Sequence, residues 1–306
     1  MLTSFFSKSK PIHFILVMIF MVLTFFWNLS VGWDSGFELA DLPFYLLLFL
    51  ALLFSMFLID FVSSKNDLTK NNTFRIAFFA LFIAVFPETF LNPEILFANL
   101  FLLLAVRRII SLRTKKDISK KILDASLWIT VATLISFWSV LFFVLLYTAI
   151  ILYTNRTLRE YLIPWIAVAC VLMFWNVYTL LTTGLLYLPH FSSQDFDFDF
   201  SEYFSSVKLV QIITVGILFL AAFLHSQVFS KRRKKFRTRN LLLYFLTVLS
   251  LAIIVLTPKK DTAEFLFFAL PFCVIVSNFM ELSKLKRLKE VVFWILFVLP
   301  FLSFLY

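Results

Sequence analysis

Apolar residues in this chain fall in blocks of roughly 16–24, long enough to cross a hydrocarbon core about 30 Å thick, with short polar segments between them. The blocks are too long and too continuous for barrel strands, and in lipid only helices or closed barrels satisfy the backbone. The pattern predicts an all-α, polytopic transmembrane helical bundle. Expected helices cover 12–30, 42–62, 75–91, 94–111, 161–183, 207–229, 240–257, 263–281 and 291–306. The block 122–154 stands apart, because a single helix of that length would measure about 50 Å at 1.5 Å per residue. Two short helices meeting near Phe137, Trp138 and Ser139 fit better. That brings the total to about eleven, with helices 5 and 6 a short hairpin.

Charge agrees with the hairpin. With it in place, 25 of the 28 Lys and Arg residues fall in one set of alternating loops, and only Lys208, Lys259 and Lys260 in the other. Eleven of the 18 acidic residues lean the opposite way. A single crossing at 122–154 would instead move the basic clusters 231–239 and 284–289 to the outer side. By the positive-inside rule the N-terminus is expected inside and the C-terminus outside. No polar stretch reaches the length of about 50 residues that a soluble domain needs. Residues 1–306 are therefore expected to form a single integral membrane domain, multi-pass in the bacterial inner membrane. The first block follows Lys8 and Lys10, holds Trp27 and is too long for a signal-peptide core, so it reads as an uncleaved anchor. The stretch 282–289 sets leucines among cations and reads as a short helix on the inner membrane surface.

Composition narrows the function. The chain is 61% hydrophobic and 15% charged, with mean hydropathy +0.94. Its net charge of +10 sits in short segments beside apolar blocks, where it serves insertion and attraction to anionic lipid rather than nucleic acid. Cys170 and Cys273 lie inside apolar blocks, and His13, His190 and His225 are scattered, so neither a disulfide framework nor a metal-ligand spacing is present. Four glycines are too few for close helix packing through GxxxG as the main mode. The sequence has no P-loop, dinucleotide fingerprint, nucleophile elbow or zinc motif, so ATPase and redox chemistry have no support.

Candidate chemistry lies in the acid-rich turns. The first holds Asp34, Glu38 and Asp41 ahead of Pro43. Asp41 is expected to cap the next helix. Asp34, between Trp33 and Gly36, is either a general base facing a substrate or an ordinary turn residue. The second turn holds Glu88, Asn92, Pro93 and Glu94. Its two prolines break the chain, Asn92 suits a cap, and Glu94 suits the first turn. The third holds Lys259, Lys260, Asp261 and Glu264. Paired lysines at a helix entry suit a phosphate or pyrophosphate group, the alternative being solvated side chains. A fourth segment alternates Asp195, Asp197 and Asp199 with phenylalanines. Its period of two lays Phe in the interface with the acids in water, or else builds a divalent-cation site or a substrate lid. It lacks the glycine pattern of a calcium loop. Asn99, Asn176, Gln211 and Asn278 are the scattered polar residues inside apolar blocks.

In order and sidedness these clusters resemble those of the membrane-embedded glycosyltransferases of the C superfamily (GT-C). The resemblance implies many helices and a polyprenyl-phosphate-linked sugar donor used at the outer face. Asp34 stands where that family's base would be. Asn92-Pro93-Glu94 and the helix ending in Arg107 and Arg108 look like its second outer loop and following helix. The short helices 5 and 6 are similar to part of its core. Lys260, Glu264 and Pro271 match a stretch of some of its mannosyltransferases. An acidic dyad at Asp34 and an Arg after Glu264 are missing. The resemblance implies a catalytic role for Asp34 and substrate binding by Glu38, Glu94, Lys259, Lys260 and Glu264. The Phe- and Lys-rich, Gly-poor composition also resembles inner-membrane families of Bacteroidota. A non-enzymatic membrane subunit or scaffold of an envelope complex, or a lipid or solute transporter, remains the alternative. Expected partners are membrane lipid, the lipid-linked sugar and other membrane subunits.

Overall fold

A computed structural model describes residues 2–32, 41–70, 72–90, 92–154, 157–185, 209–229, 234–257, 262–283 and 286–305. Every regular element among them is helical. In chain order these are α1 (Leu2–Phe6), α2 (Pro11–Gly32), α3 (Leu42–Lys65), α4 (Phe74–Val85), α5 (Pro93–Ser111), α6 (Ile118–Ile135), α7 (Phe142–Tyr153), α8 (Leu158–Thr183), α9 (Leu209–Phe229), α10 (Lys234–Leu256), α11 (Ala269–Leu282) and α12 (Lys286–Leu305). Four short 3-10 turns occupy Pro87–Phe90, Leu112–Thr114, Phe137–Leu141 and Ala263–Phe268. Five apolar helical stretches are long enough to cross a membrane: Pro11–Leu29, Leu42–Lys65, Pro93–Thr114, Leu158–Thr183 and Ala263–Leu282.

Eleven of these helices match the blocks read from the sequence, and 122–154 does break at the Phe137–Leu141 turn. There Ser136 takes an extended conformation, and α6 and α7 remain two short helices. Two details differ. The five-residue α1 was not expected, being too short to show as an apolar block. The basic stretch 282–289 is not a separate surface helix: α11 ends at Leu282, Ser283 is extended, and Lys286, Arg287 and Lys289 form the first turn of α12.

The chain divides into two compact units, one made of Met1–Leu96, Asp199–Arg237 and Lys260–Tyr306, the other of Phe97–Phe198 and Thr238–Lys259. The first unit is built around α4, whose twelve residues are all buried. Packed on it are α2, α3, α9, α11 and α12. At about 18 Å, α4 is shorter than a hydrocarbon core. Aromatic contacts fill its surroundings, with Phe82 to Phe272 centroids 5.0 Å apart and Phe78 to Phe293 5.6 Å apart. α2 shows how the unit meets its environment. Val17, Met21, Phe25 and Leu29 are buried, whereas Ile12, Ile15, Ile19, Leu23 and Phe26 form an exposed stripe. Both faces are apolar, which suits lipid on the outer one.

In the second unit α6 packs on α8 and α7. Phe101 stacks on Trp128 at 5.5 Å, and Arg108 meets Asp124 at 2.9 Å. A capping box opens α8: the Thr157 amide donates to Glu160 Oε2 at 3.0 Å, and the Thr157 side chain receives the Glu160 amide. Apart from Glu160, Ile163, Pro164, Ala167 and Thr179, the helix has no buried residues among Leu158–Thr183.

Candidate functional site

The end of the first unit that carries the acid-rich turns is shaped by prolines. Pro87 has no N–H and restricts the residue before it, so α4 stops at Val85 and Phe86 adopts φ −116°, ψ 71°. The chain then makes the Pro87–Phe90 turn, in which Thr89 Oγ1 donates to the Phe86 carbonyl at 2.7 Å. Asn92 Oδ1 accepts the Ile95 amide at 3.2 Å, so it caps α5 with Pro93 in the first helical position. Asp41 occupies the corresponding place before α3 but makes no side-chain cap. Its backbone is already helical, and Pro43 removes one of the two amides a cap would bind.

Three segments meet there. Phe86 and Phe265 stack at 5.0 Å, joining the Pro87–Phe90 and Ala263–Phe268 turns. Gln211, in the first turn of α9, is fully buried, and its Nε2 lies 3.5 Å from the Val85 carbonyl, 3.5 Å from Glu88 Oε2 and 3.4 Å from Thr262 Oγ1. These are long, weak hydrogen bonds, shared among more acceptors than the amide has protons. Thr262 sits in the left-handed region at φ 67°, an unusual place for a β-branched residue. Glu264 has no exposed surface. Phe25 of α2 reaches Phe90 at 6.0 Å, so the end of the helix that precedes Asp34 packs on the same turn.

Of the residues singled out from the sequence, Asp34, Glu38, Lys259 and Lys260 lie outside the described residues, as do Asp195, Asp197 and Asp199. Glu94 is exposed at the start of α5, and Glu264 is buried in its turn. Gln211, read as a scattered polar residue, belongs to this cluster. Asn176 instead donates to Leu172 of its own helix at 2.9 Å. Among the described residues, no group of three His, Cys, Asp or Glu side chains gathers to hold a metal ion.

The opposite end of the first unit holds a polar network that the sequence reading missed. Arg75, at the start of α4, is 1% exposed. Asp60 Oδ1 of α3 accepts from its Nη2 at 2.6 Å and its Nε at 2.9 Å. Ser64 Oγ takes the other Nη2 proton at 2.8 Å, while Thr69 Oγ1 and the Lys70 carbonyl take those of Nη1. All five guanidinium donors are therefore used, which makes Arg75 a structural clamp between α3 and α4 rather than a free reactive group. Nearby, Glu281 accepts the Lys70 amide at 2.9 Å and the Asn72 side chain. Thr73 Oγ1 donates to the Phe6 carbonyl at 3.2 Å, so the 2.9 Å contact to His13 Nδ1 requires the ring to be the donor. Lys8, Lys10, Lys65, Lys70 and the first turn of α12 thus lie on or beside segments tied together at this end. The signal for the clamp was Asp60, an acid inside an apolar block.

The model of one family, described as a family of unknown function (DUF6427), matches residues 1–306. No curated protein and no solved structure matches the chain.

Proposed function

We propose that this chain, which belongs to the DUF6427 family, is a multi-pass protein of the bacterial inner membrane that carries a GT-C-like transferase site on its outer face. In this reading about eleven helices form the bundle, the N-terminus is cytoplasmic and the C-terminus is outside. Support comes from the apolar outer stripe of α2 and from the segregation of charge in the first unit. Among the described residues, Lys8, Lys10, Lys65, Lys70, Arg75 and the cations of the first turn of α12 gather at one end, while the turns bearing Glu88, Glu94 and Glu264 are at the other. The positive-inside rule then sets the basic end in the cytoplasm.

The observation that carries the transferase reading is the convergence at Gln211. It ties the Glu88 turn to Thr262, the first described residue after Lys259 and Lys260, while α2 brings the end that precedes Asp34 onto the same turn. Asp34 accepts the proton of an acceptor hydroxyl as its oxygen attacks the anomeric carbon. The bond to phosphate breaks, the electron pair leaves with the polyprenyl phosphate, and Lys259 and Lys260 stabilise the charge. Glu38 and Glu94 contact sugar and acceptor hydroxyls. Glu264, being buried, holds the turn in shape from within.

The test is turnover of polyprenyl-phosphate-linked sugars by the full chain in nanodiscs, read as released polyprenyl phosphate. Loss of a general base typically lowers the rate about 100-fold or more, and Asp34→Asn is expected to do so at normal expression. Equal rates for Asp34→Asn and the unaltered chain would exclude the mechanism.

A second reading, a non-enzymatic subunit of an envelope complex, has one observation of its own. α8 exposes Leu158, Trp165, Met173, Phe174 and Leu181, each by more than 60%. Such a surface suits a partner helix as well as lipid. A stoichiometric protein partner retained in mild detergent and cross-linked through Cys170 on that helix would favour this reading.

A further inference from the structure

A cleft of about 1010 Å³ opens at the basic end of the first unit. Lys70, Lys286, Arg287 and Lys289 line it, together with Thr3 and Ser7 from the N-terminal segment. Two carboxylates also line it, but both are engaged by neutral donors. Glu281 accepts the Lys70 amide and the Asn72 side chain, and Glu290 accepts the Thr3 hydroxyl. Among the described residues none of the four cations has a carboxylate within ion-pairing distance. Three of them also crowd the first turn of α12, where the helix dipole favours anions and disfavours cations. Burial and the charge of Lys70 push the Lys289 ammonium below its ordinary pKa, opposed by the attraction of Glu281. With four cations to two carboxylates in its lining, the cleft is an electropositive hollow whose positive charge is only partly balanced.

Beside it is an apolar groove of about 320 Å³, lined among others by Phe5, Leu16, Ala80, Phe293 and Phe297. Three elements, α1, α4 and α12, contribute to both. Thr3 and Ser4 of α1 face the cleft and Phe5 and Phe6 the groove. Phe74 of α4 lines the cleft, and Ala77 and Ala80 line the groove about one and two turns on. Lys289 of α12 lines the cleft, while Phe293 and Phe297 line the groove. Along α12 the lining thus changes from cationic to aromatic, and along α1 from hydroxyl-bearing to aromatic, while the α4 wall is apolar throughout.

We propose that this combined cleft and groove is a binding site for an anionic phospholipid of the cytoplasmic leaflet, its phosphate headgroup among Lys70, Lys286, Arg287 and Lys289 and an acyl chain against Phe5, Phe293 and Phe297. The proposal depends on the membrane reading but not on transferase activity, since the site is at the other end of the unit from the acid-rich turns.

Native mass spectrometry of the full chain in mild detergent tests it, with phosphatidylglycerol, phosphatidylcholine and inorganic phosphate as probes. Phosphatidylglycerol is expected to be retained at least tenfold better than phosphatidylcholine. The variant Lys286→Gln/Arg287→Gln/Lys289→Gln is expected to lose that preference by tenfold or more, given the roughly tenfold effect of one to two basic residues at a lipid surface. Leu16→Trp, a half-exposed position on the groove wall, is expected to weaken retention while leaving the headgroup preference. Equal retention of the two lipids, or an unaltered preference in the triple variant, overturns the proposal. Displacement of phosphatidylglycerol by millimolar inorganic phosphate, with Leu16→Trp indistinguishable from the unaltered chain, overturns the lipid in favour of free phosphate.

Discussion

Replacing Arg75 with methionine is expected to be the most destabilising single change at the basic end. The side chain is 2% exposed and its partner Asp60 20%, so the pair is removed from water, although Asp60 keeps a partial outlet. Removal of one partner from a buried pair typically costs 3–5 kcal/mol, chiefly because the other charge stays behind unpaired. The residual exposure of Asp60 puts the loss at the lower end, about 3 kcal/mol, or a factor of about 150 in the folding equilibrium. The Lys70 carbonyl and Ser64 hydroxyl lose their donor in the same step. Removing both charges, as in Asp60→Leu/Arg75→Met, is expected to recover about 2 kcal/mol or more of that loss, because no buried charge then remains. Arg75→Lys should fall between, as an ammonium has three donors where the guanidinium uses five. The assay is reversible unfolding in mixed micelles followed by tryptophan fluorescence, with the unaltered chain, Arg75→Met, Asp60→Leu and Asp60→Leu/Arg75→Met forming a double-mutant cycle and Arg75→Lys as a control. A single methionine variant within about 0.5 kcal/mol of the unaltered chain, the range of an ordinary surface substitution, would show that the guanidinium is solvated and the clamp does not exist.

Three further outcomes are expected. Phe82→Ala, which empties a 1%-exposed position packed on Phe86 and Phe272, should cost about 3–5 kcal/mol in the same unfolding assay. Thr262→Gly and Thr262→Val both lose the hydroxyl facing Gln211, but only glycine relieves the left-handed backbone, so Thr262→Gly should stay within about 1 kcal/mol of the unaltered chain and Thr262→Val should be the less stable of the two. Glu281→Ala should cost about 1–3 kcal/mol through the amide of Lys70 and the side chain of Asn72, and proteolysis or hydrogen exchange of 66–73 should rise with it.

Apolar block length carried most of the helical layout, since in a lipid environment a helix needs only a long apolar run and the sequence displays it directly. The break at Phe137–Leu141 was readable for the same reason: a single helix over 122–154 would have been too long and would have scattered the basic clusters over both sides. Local chemistry was readable where one residue decides it, as with the Asn92 cap before Pro93. It failed at Asp41, where Pro43 removes a donor and the backbone is helical. Arg75 illustrates a deeper limit. Counted as one loop cation among many, it is instead enclosed by an acid fifteen residues earlier, because α3 and α4 bring their ends together. Charge counting reports the side a residue is on, never the direction its side chain takes. Likewise Gln211 gave no sign that it would join Glu88 and Thr262, a meeting created by packing of segments far apart in the chain.

Sidedness is the claim on which both the outer-face site and the lipid cleft rest, and cysteine labelling of intact cells tests it directly. Glu94 and Lys286 are both exposed and belong to the same unit, at its acid-rich and its basic end respectively. Cys273 is fully buried, so only Cys170 needs replacement before single cysteines are introduced at these positions. A membrane-impermeant maleimide should label Glu94→Cys in cells whose inner membrane is intact, and Lys286→Cys only after that membrane is opened. Labelling of both from one side would contradict the account.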